Sequence, residues 1–174
     1  MMLRIKYLQE IFLKETNKEM KNVKKICFAA SSGGHFEQIS MLRPLMEKYD
    51  SCVVTEETDY KAIIKNQKMY YMHQVNRKEK LMPLWMIVNS FKSLKLMVVE
   101  NPDVVITTGV LAMIPLCLLA KIFRKKLVYI ESFAKVTSPT KTGMLMYKFA
   151  DQFYVQWKSM KLFYPKAIYL GGIY

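Results

Sequence analysis

The stretch Lys25–Gln38, KICFAASSGGHFEQ, constrains the fold more than any other. Ile26 to Ala30 is an apolar run of strand length, Ser31-Ser32-Gly33-Gly34 is a tight turn, and His35 opens a helix. A strand feeding a glycine turn and then a helix is the opening unit of an α/β fold. The turn is neither the dinucleotide pattern G-x-G-x-x-G nor a P-loop, which would need a lysine. Glycines at 33 and 34 allow a sharp turn and close approach of a ligand or of neighbouring backbone. The N–H groups that open the helix suit a phosphate or carboxylate.

The same alternation continues along the chain. The helix after His35 carries Ile39, Leu42, Leu45 and Met46 at core spacing, with Pro44 expected to bend it. Ser51–Thr55 reads as the second strand. Glu56, Glu57 and Asp59 follow, and are expected to cap a helix over Asp59–Asn66. Met69–Met72 is the third strand, and a polar loop from His73 to Lys80 leads into a long apolar helix over Leu81–Glu100. Val104–Gly109 and Leu127–Ile130 are further strands, separated by a helix over Val110–Phe123 in which Pro115 is a potential kink. A helix over Gly143–Ala150, a strand over Gln152–Val155, a short helix over Lys158–Tyr164 and an extended Ala167–Leu170 complete the pattern. Strands that are continuous apolar runs between helices predict a parallel, doubly wound, Rossmann-like sheet. We assign residues 23–174 to that domain. Residues 1–22 precede it as an amphipathic helix built on Leu3, Tyr7, Leu8, Ile11 and Phe12, which either packs on the domain or binds a membrane or partner.

Composition narrows the function classes. The 174 residues are 52% hydrophobic, enough to fill a core, and the net charge is +13. Such a charge favours nucleic acid, an anionic membrane or a phosphorylated ligand. Zinc-finger spacing, a basic zipper region and an RNA-recognition signature are all missing, so nucleic acid is not expected. Cys27, Cys52 and Cys117 lie apart in apolar runs and read as buried thiols of a reducing compartment, not as metal ligands. Neither a metal nor a cofactor is expected. The N-terminus lacks a secretory pattern, and no stretch reaches 18 unbroken apolar residues, so surface attachment is expected rather than a spanning helix. The helix Leu81–Glu100 has an apolar arc wide for one sheet contact. Arg77, Lys78, Lys80, Lys92 and Lys95 border it, and with Trp85 and Phe91 they form the expected membrane contact. The alternative is a core helix held between neighbours.

In an open parallel sheet, ligands lie beyond the carboxyl ends of the strands. The candidates there are Ser32, Gly33, Gly34 and His35, then Thr107, Thr108 and Gly109, then Glu131 and Ser132, then Gln156 and Trp157. Neutral imidazole can accept a proton near pH 7 or donate to a phosphate, so His35 is a candidate base. Glu131 is a second candidate base, an orienting partner for His35, or a carboxylate that only holds its own loop. His73 is expected to be exposed.

Five segments in order carry a resemblance: Ser32–His35, Thr107–Gly109, Tyr129–Val136, Ala150–Trp157 and Tyr169–Gly172. Together they resemble the membrane-associated subunit of two-component glycosyltransferases. The eukaryotic members anchor the transferase that adds the second N-acetylglucosamine to a dolichyl-diphosphate sugar. The bacterial members, called enhancer proteins, assist capsular or exopolysaccharide galactosyltransferases. A more distant similarity is to the N-terminal domain of the peptidoglycan transferase that makes lipid II. The resemblance implies the N-terminal, acceptor-side half of a GT-B enzyme at the cytoplasmic membrane face, inactive alone. A separate donor-binding subunit would hold the UDP-sugar, probed first as UDP-galactose, opposite a polyprenyl-diphosphate-linked sugar. Gly33, Gly34 and His35 would then lie near the diphosphates, with Ser32, Thr108, Gly109 and Ser132 in the acceptor cleft. Glu131 would lie at the cleft face. Gly171 and Gly172, with Gln156 and Trp157, would mark the partner boundary. The competing reading is a purely structural scaffold with no group in the active site.

Overall fold

A computed structural model describes residues 24–59, 61–109 and 111–173. The expected helix over 1–22 therefore lies outside the described residues. Seven parallel strands form one sheet: β1 (Lys25–Ala29), β2 (Asp50–Glu56), β3 (Lys68–Met72), β4 (Val104–Thr107), β5 (Lys126–Ile130), β6 (Gln152–Val155) and β7 (Ile168–Tyr169). Their spatial order is β3-β2-β1-β4-β5-β6-β7. The helices are α1 (Gly34–Ser40), α2 (Arg43–Lys48), α3 (Met82–Glu100), α4 (Ile114–Ile122) and α5 (Lys141–Met146), with 3₁₀ turns at Leu111–Met113 and Lys158–Leu162.

Both faces of the sheet are covered, which is why the strands read as unbroken apolar runs. Ile26 and Phe28 of β1 point to one face, where Phe36, Ile39, Leu45 and Met46 of α1 and α2 pack. Cys27 and Ala29 point to the other, against Leu96 and Met97 of α3 and Leu116, Cys117 and Ala120 of α4. All three cysteines are buried and unpaired.

Three helix expectations change. The helix after His35 is two helices, because Pro44 stands in the first turn of α2 and starts a new helix instead of bending one. Pro115 likewise stands in the first turn of α4. The residues from Glu57 to Gln67 form no helix among those described. Asn66, at φ 67°, sits in a left-handed turn closed by the Gln67 N–H on the Ile64 carbonyl.

Helix α3 is inside out. Its buried residues are Asn89, Ser93, Leu96, Met97 and Glu100. Its outward face carries Leu84, Ile87, Phe91, Leu94 and Val98 at three- and four-residue spacing, with Phe91 70% exposed. Of the buried polar groups, the Ser93 hydroxyl has no hydrogen-bond partner among the described residues, whereas Asn89 is satisfied from inside. Asn89 Oδ1 accepts from the His73 N–H and Nδ2 donates to the His73 carbonyl, both at 2.8 Å. The His73 ring stacks on Trp85, centroids 3.6 Å apart, so His73 is part-buried, not simply exposed as expected. Trp85 packs against the core, which removes it from the expected membrane face. By length and composition α3 could cross a membrane. Its packed inner face makes it a helix that lies on the sheet.

At the amino end of the sheet, Glu100 is paired with Lys25 at 2.5 Å and with Lys68 at 3.5 Å, and accepts from the Tyr70 hydroxyl. Burial pushes its carboxyl up, but the hydrogen bonds and cations outweigh that and hold it below the ordinary range. The unfolded chain then binds this proton more readily. Stability from Glu100 is complete above the unfolded value near 4.3 and is lost as pH falls through the lower folded value. We expect the urea midpoint of the parent to fall more steeply below about pH 4 than that of Glu100→Gln. Parallel curves would contradict this.

Candidate functional site

The strand order reverses between β1 and β4, and the loops leaving their carboxyl ends diverge there. A cavity of about 650 Å³ opens at that end of the sheet. Ser31 and His35 line it from the loop after β1, and Glu56 from the end of β2. Gln74 to Lys78 come from the loop after β3, Gly109 and Leu111 from beyond β4, and Tyr129 from β5. Lys135 and Pro139 to Thr142 close it from the loop after β5.

Local geometry explains several of these placements. Gly33 has φ +71° and precedes α1, a conformation a side chain would strain. Gly109 has φ +91°, and a Cβ there would collide with the Tyr129 hydroxyl. The Thr108 Oγ1 donates to the His35 carbonyl at 3.2 Å, tying the β4 loop to the β1 loop. Arg77 reaches Thr142 Oγ1 at 3.4 Å, joining the loop after β3 to the start of α5.

His35 is part-buried, and its Nδ1 has no hydrogen-bond partner among the described residues. Burial pushes its pKa down, against a smaller upward pull from hydrogen bonding to the Thr108 backbone and from the Glu131 charge. The ring is therefore neutral near pH 7. Glu56 is 5% exposed. Burial lifts its carboxyl above the ordinary range, partly offset by hydrogen bonds from the Val75 and Ser32 backbone. Cations Arg77, Lys78, Lys135 and Lys141 share the cavity lining with it.

The expected base Glu131 is corrected. It is 1% exposed and absent from the cavity lining. Oε1 accepts from the Ser132 N–H at 2.9 Å and the Thr140 hydroxyl at 3.0 Å, and Oε2 accepts from the Tyr164 hydroxyl at 2.6 Å. The carboxylate holds the loop that carries Lys135 and the start of α5, leaving no oxygen for substrate. Ser132, whose N–H is held by Glu131, and Thr108, whose hydroxyl is held by the His35 carbonyl, are both buried and do not line the cavity. Ser32, Gly33 and Gly34 stand beside the cavity without lining it.

Gln156, expected at a partner boundary, is 4% exposed. Its Nε2 donates to Gln38 Oε1 at 2.8 Å and to the Glu131 carbonyl at 2.9 Å, and its Oε1 accepts from the Ile173 N–H. It is an internal link and cannot meet a partner. Trp157 Nε1 donates to the Phe133 carbonyl at 2.6 Å, and Gly172 packs against the Phe133 ring. Trp157, Gly171 and Gly172 stay part-exposed. Among the described residues no group of three His, Cys, Asp or Glu side chains converges as a metal site. Arg77 and Lys78, expected on a membrane face, line the cavity, whereas Lys80, Lys92 and Lys95 are exposed.

Sequence reasoning missed Glu56 as a site residue. Its position at the carboxyl end of a strand beside the reversal point was the available signal.

Comparison with known proteins places these features in a lineage. The family model described as oligosaccharide biosynthesis protein Alg14 like matches residues 26–173. The UDP-N-acetylglucosamine transferase subunit ALG14 of Homo sapiens is 30% identical over 116 residues, covering 60% of this chain and 54% of that protein. The match to its Rattus norvegicus counterpart has the same extent, so the chain spans about half the length of these two relatives. The subunit of the same name in Mus musculus is 25% identical over 179 residues, covering 86% of this chain and 82% of that protein. Among solved structures, Acinetobacter baumannii MurG superposes with TM-score 0.61 at 16% identity, over 76% of this chain and 41% of that one. UDP-GlcNAc 2-epimerase from Methanocaldococcus jannaschii gives 0.62 at 13% identity, over 79% and 41%. At such identities the likeness is one of fold: a parallel Rossmann-like sheet of the kind seen in GT-B transferases and UDP-sugar epimerases.

Proposed function

This chain belongs to the Alg14-like family of oligosaccharide biosynthesis proteins, and from that premise we propose that it is an accessory subunit of a two-component UDP-sugar glycosyltransferase acting on a polyprenyl-diphosphate-linked sugar. The observation that carries the reading is the family match across nearly the whole described domain, residues 26–173. The coverage of MurG supports it: this chain superposes on 41% of that chain, the span of one Rossmann-like half. A separate catalytic subunit would supply the other half and most of the UDP-sugar. The relatives are named transferase subunits, which favours a chain that holds and positions its catalytic partner and does not turn over alone. They are also named for UDP-N-acetylglucosamine, so that donor is tested first, and UDP-galactose, with a capsular or exopolysaccharide product, second.

The outward face of α3 suits attachment to an anionic membrane surface at its cytoplasmic side. Its apolar stripe is flanked by exposed Lys92 and Lys95. Exposed Ile122 on α4, beside Lys121 and Arg124, extends the same combination. A basic fringe around an apolar stripe is what an interfacial helix presents to anionic lipid. The unpaired buried cysteines fit a reducing compartment.

One observation favours a further role over pure scaffolding: a polar cavity at the strand ends, lined by four cations and by the His35 imidazole. Its cations match a diphosphate.

The test is sugar transfer to polyprenyl-diphosphate-GlcNAc and polyprenyl-diphosphate-glucose in vesicles, with labelled UDP-GlcNAc or UDP-galactose. This chain alone, the catalytic subunit alone and both together are compared. Transfer that requires both supports the reading. Transfer by this chain alone, or equal transfer with and without it, overturns it.

A further inference from the structure

We propose that Glu56 is the base of the assembled transferase, taking the proton from the acceptor hydroxyl as that oxygen attacks the donor sugar. The inference rests on the two-component reading and goes beyond it, because it gives this chain a group in the chemistry. Three geometric observations carry it. First, Glu56 is the only carboxylate among the described residues that line the cavity, since Glu131 is turned into its own loop. Second, it sits at the carboxyl end of β2, next to β1 and the reversal point, where ligands of open parallel sheets lie. Third, it is buried without forming an ion pair among the described residues, and main-chain groups of Ser32 and Val75 hold it from two different loops. A carboxylate that served only to balance charge would be paired with one of the cavity's cations.

The layout matches a sugar diphosphate. Arg77 and Lys78 on one wall, and Lys135 and Lys141 on another, suit the diphosphate; the single carboxylate suits a hydroxyl. The proton of the acceptor hydroxyl moves to Glu56. The oxygen bonds to C1 of the UDP-sugar brought by the catalytic subunit. The bond from C1 to the diphosphate breaks, and its electron pair leaves with UDP. His35, which lines the cavity and is held neutral by burial, is the imidazole nearest the acceptor in this arrangement and would orient it. Burial raises the Glu56 carboxyl toward the working pH, which strengthens it as a base. Among the described residues, the other titratable groups facing the cavity are His35, Tyr129 and the four cations already named.

The test compares Glu56→Gln and Glu56→Asp with the parent in the assembled two-subunit complex. It measures co-elution of the catalytic subunit, KM for polyprenyl-diphosphate-GlcNAc, and kcat from pH 5 to 9 with UDP-GlcNAc and UDP-galactose. We expect Glu56→Gln to co-elute normally, to keep its KM, and to lose about 10²–10⁴-fold in kcat. The parent rate should rise with pH through the Glu56 titration, and that limb should vanish in Glu56→Gln. Glu56→Asp should recover part of the rate with its limb moved toward lower pH. If the parent complex transfers sugar and Glu56→Gln stays within about fivefold of it, a range far below the expected loss, the assignment of the base is overturned while the subunit reading stands. If the glutamine variant fails to assemble, Glu56→Asp decides: a shifted limb supports the proposal and an unaltered profile overturns it. If the parent complex transfers neither sugar, the subunit reading fails and the proposal fails with it.

Discussion

Glu131→Ala is expected to lower stability by roughly 3–5 kcal/mol, because each buried donor left without its acceptor costs about 1–3 kcal/mol. Three donors depend on that carboxylate: the Ser132 N–H, the Thr140 hydroxyl and the Tyr164 hydroxyl. Thr140 also caps α5, its Oγ1 accepting from the Gly143 N–H at 2.7 Å, so the helix start moves with the loop. Burial, then the hydrogen bond to Glu131, pushes the Tyr164 hydroxyl well above its ordinary pKa, so it remains a donor at every working pH. Gly143→Ala should do comparable damage by another route. Its Cβ would stand 2.6 Å from the Tyr164 hydroxyl and 2.7 Å from Thr140 Oγ1, and would collide with the Glu131 carboxylate. At this chain length such losses correspond to a fall in melting temperature on the order of 10 °C. Thermal denaturation reads both. A shift within about 2 °C, under 1 kcal/mol at this size, would show that the network carries no such weight.

The second large effect is on membrane binding. Ile87→Glu combined with Phe91→Glu should reduce the partition of the chain onto anionic vesicles at least about 100-fold. Full burial of each such side chain contributes about 1.5–3 kcal/mol, so losing both removes at least about 3 kcal/mol. Neither side chain packs into the core, with Ile87 55% and Phe91 70% exposed, so the double variant should fold and melt like the parent. Vesicle flotation at low and high salt separates the contributions. The apolar part persists in salt, and the part from Lys92 and Lys95 weakens. Equal flotation of parent and variant would remove α3 from the membrane.

The sheet was legible because buried parallel strands advertise themselves as apolar runs. The turn at Gly33, the strand runs themselves and the long helix after Lys80 all follow from local pattern. The polar contents of the core did not. Asn89 and Ser93 lie on the inner face of α3, where His73 offers Asn89 a backbone amide and carbonyl that sequence spacing cannot reveal. Glu56 reads as a helix cap because it clusters with Glu57 and Asp59 ahead of an expected helix over Asp59–Asn66. Asn66 in a left-handed conformation closes a turn there instead. Glu131 was placed at the right strand end. Its orientation depends on Tyr164, which is 33 residues away. In each case the deciding partner is distant in sequence or is main chain, and neither leaves a local signature.

The position of β1 also governs when the chain can fold. It is the first of the described strands to be made and lies inside the sheet, paired in register with β2 through Cys27 and Cys52 and with β4 through Ile26 and Val104. As the chain leaves the ribosome, β2 can pair with β1 early, but the opposite edge of β1 stays open until β4 has been made. Through all of α3 the nascent protein therefore carries an unpaired apolar strand edge beside a helix whose outer face is also apolar. The interval in which this protein needs shelter is thus fixed by its topology: it begins with Ala29 and ends with Thr107.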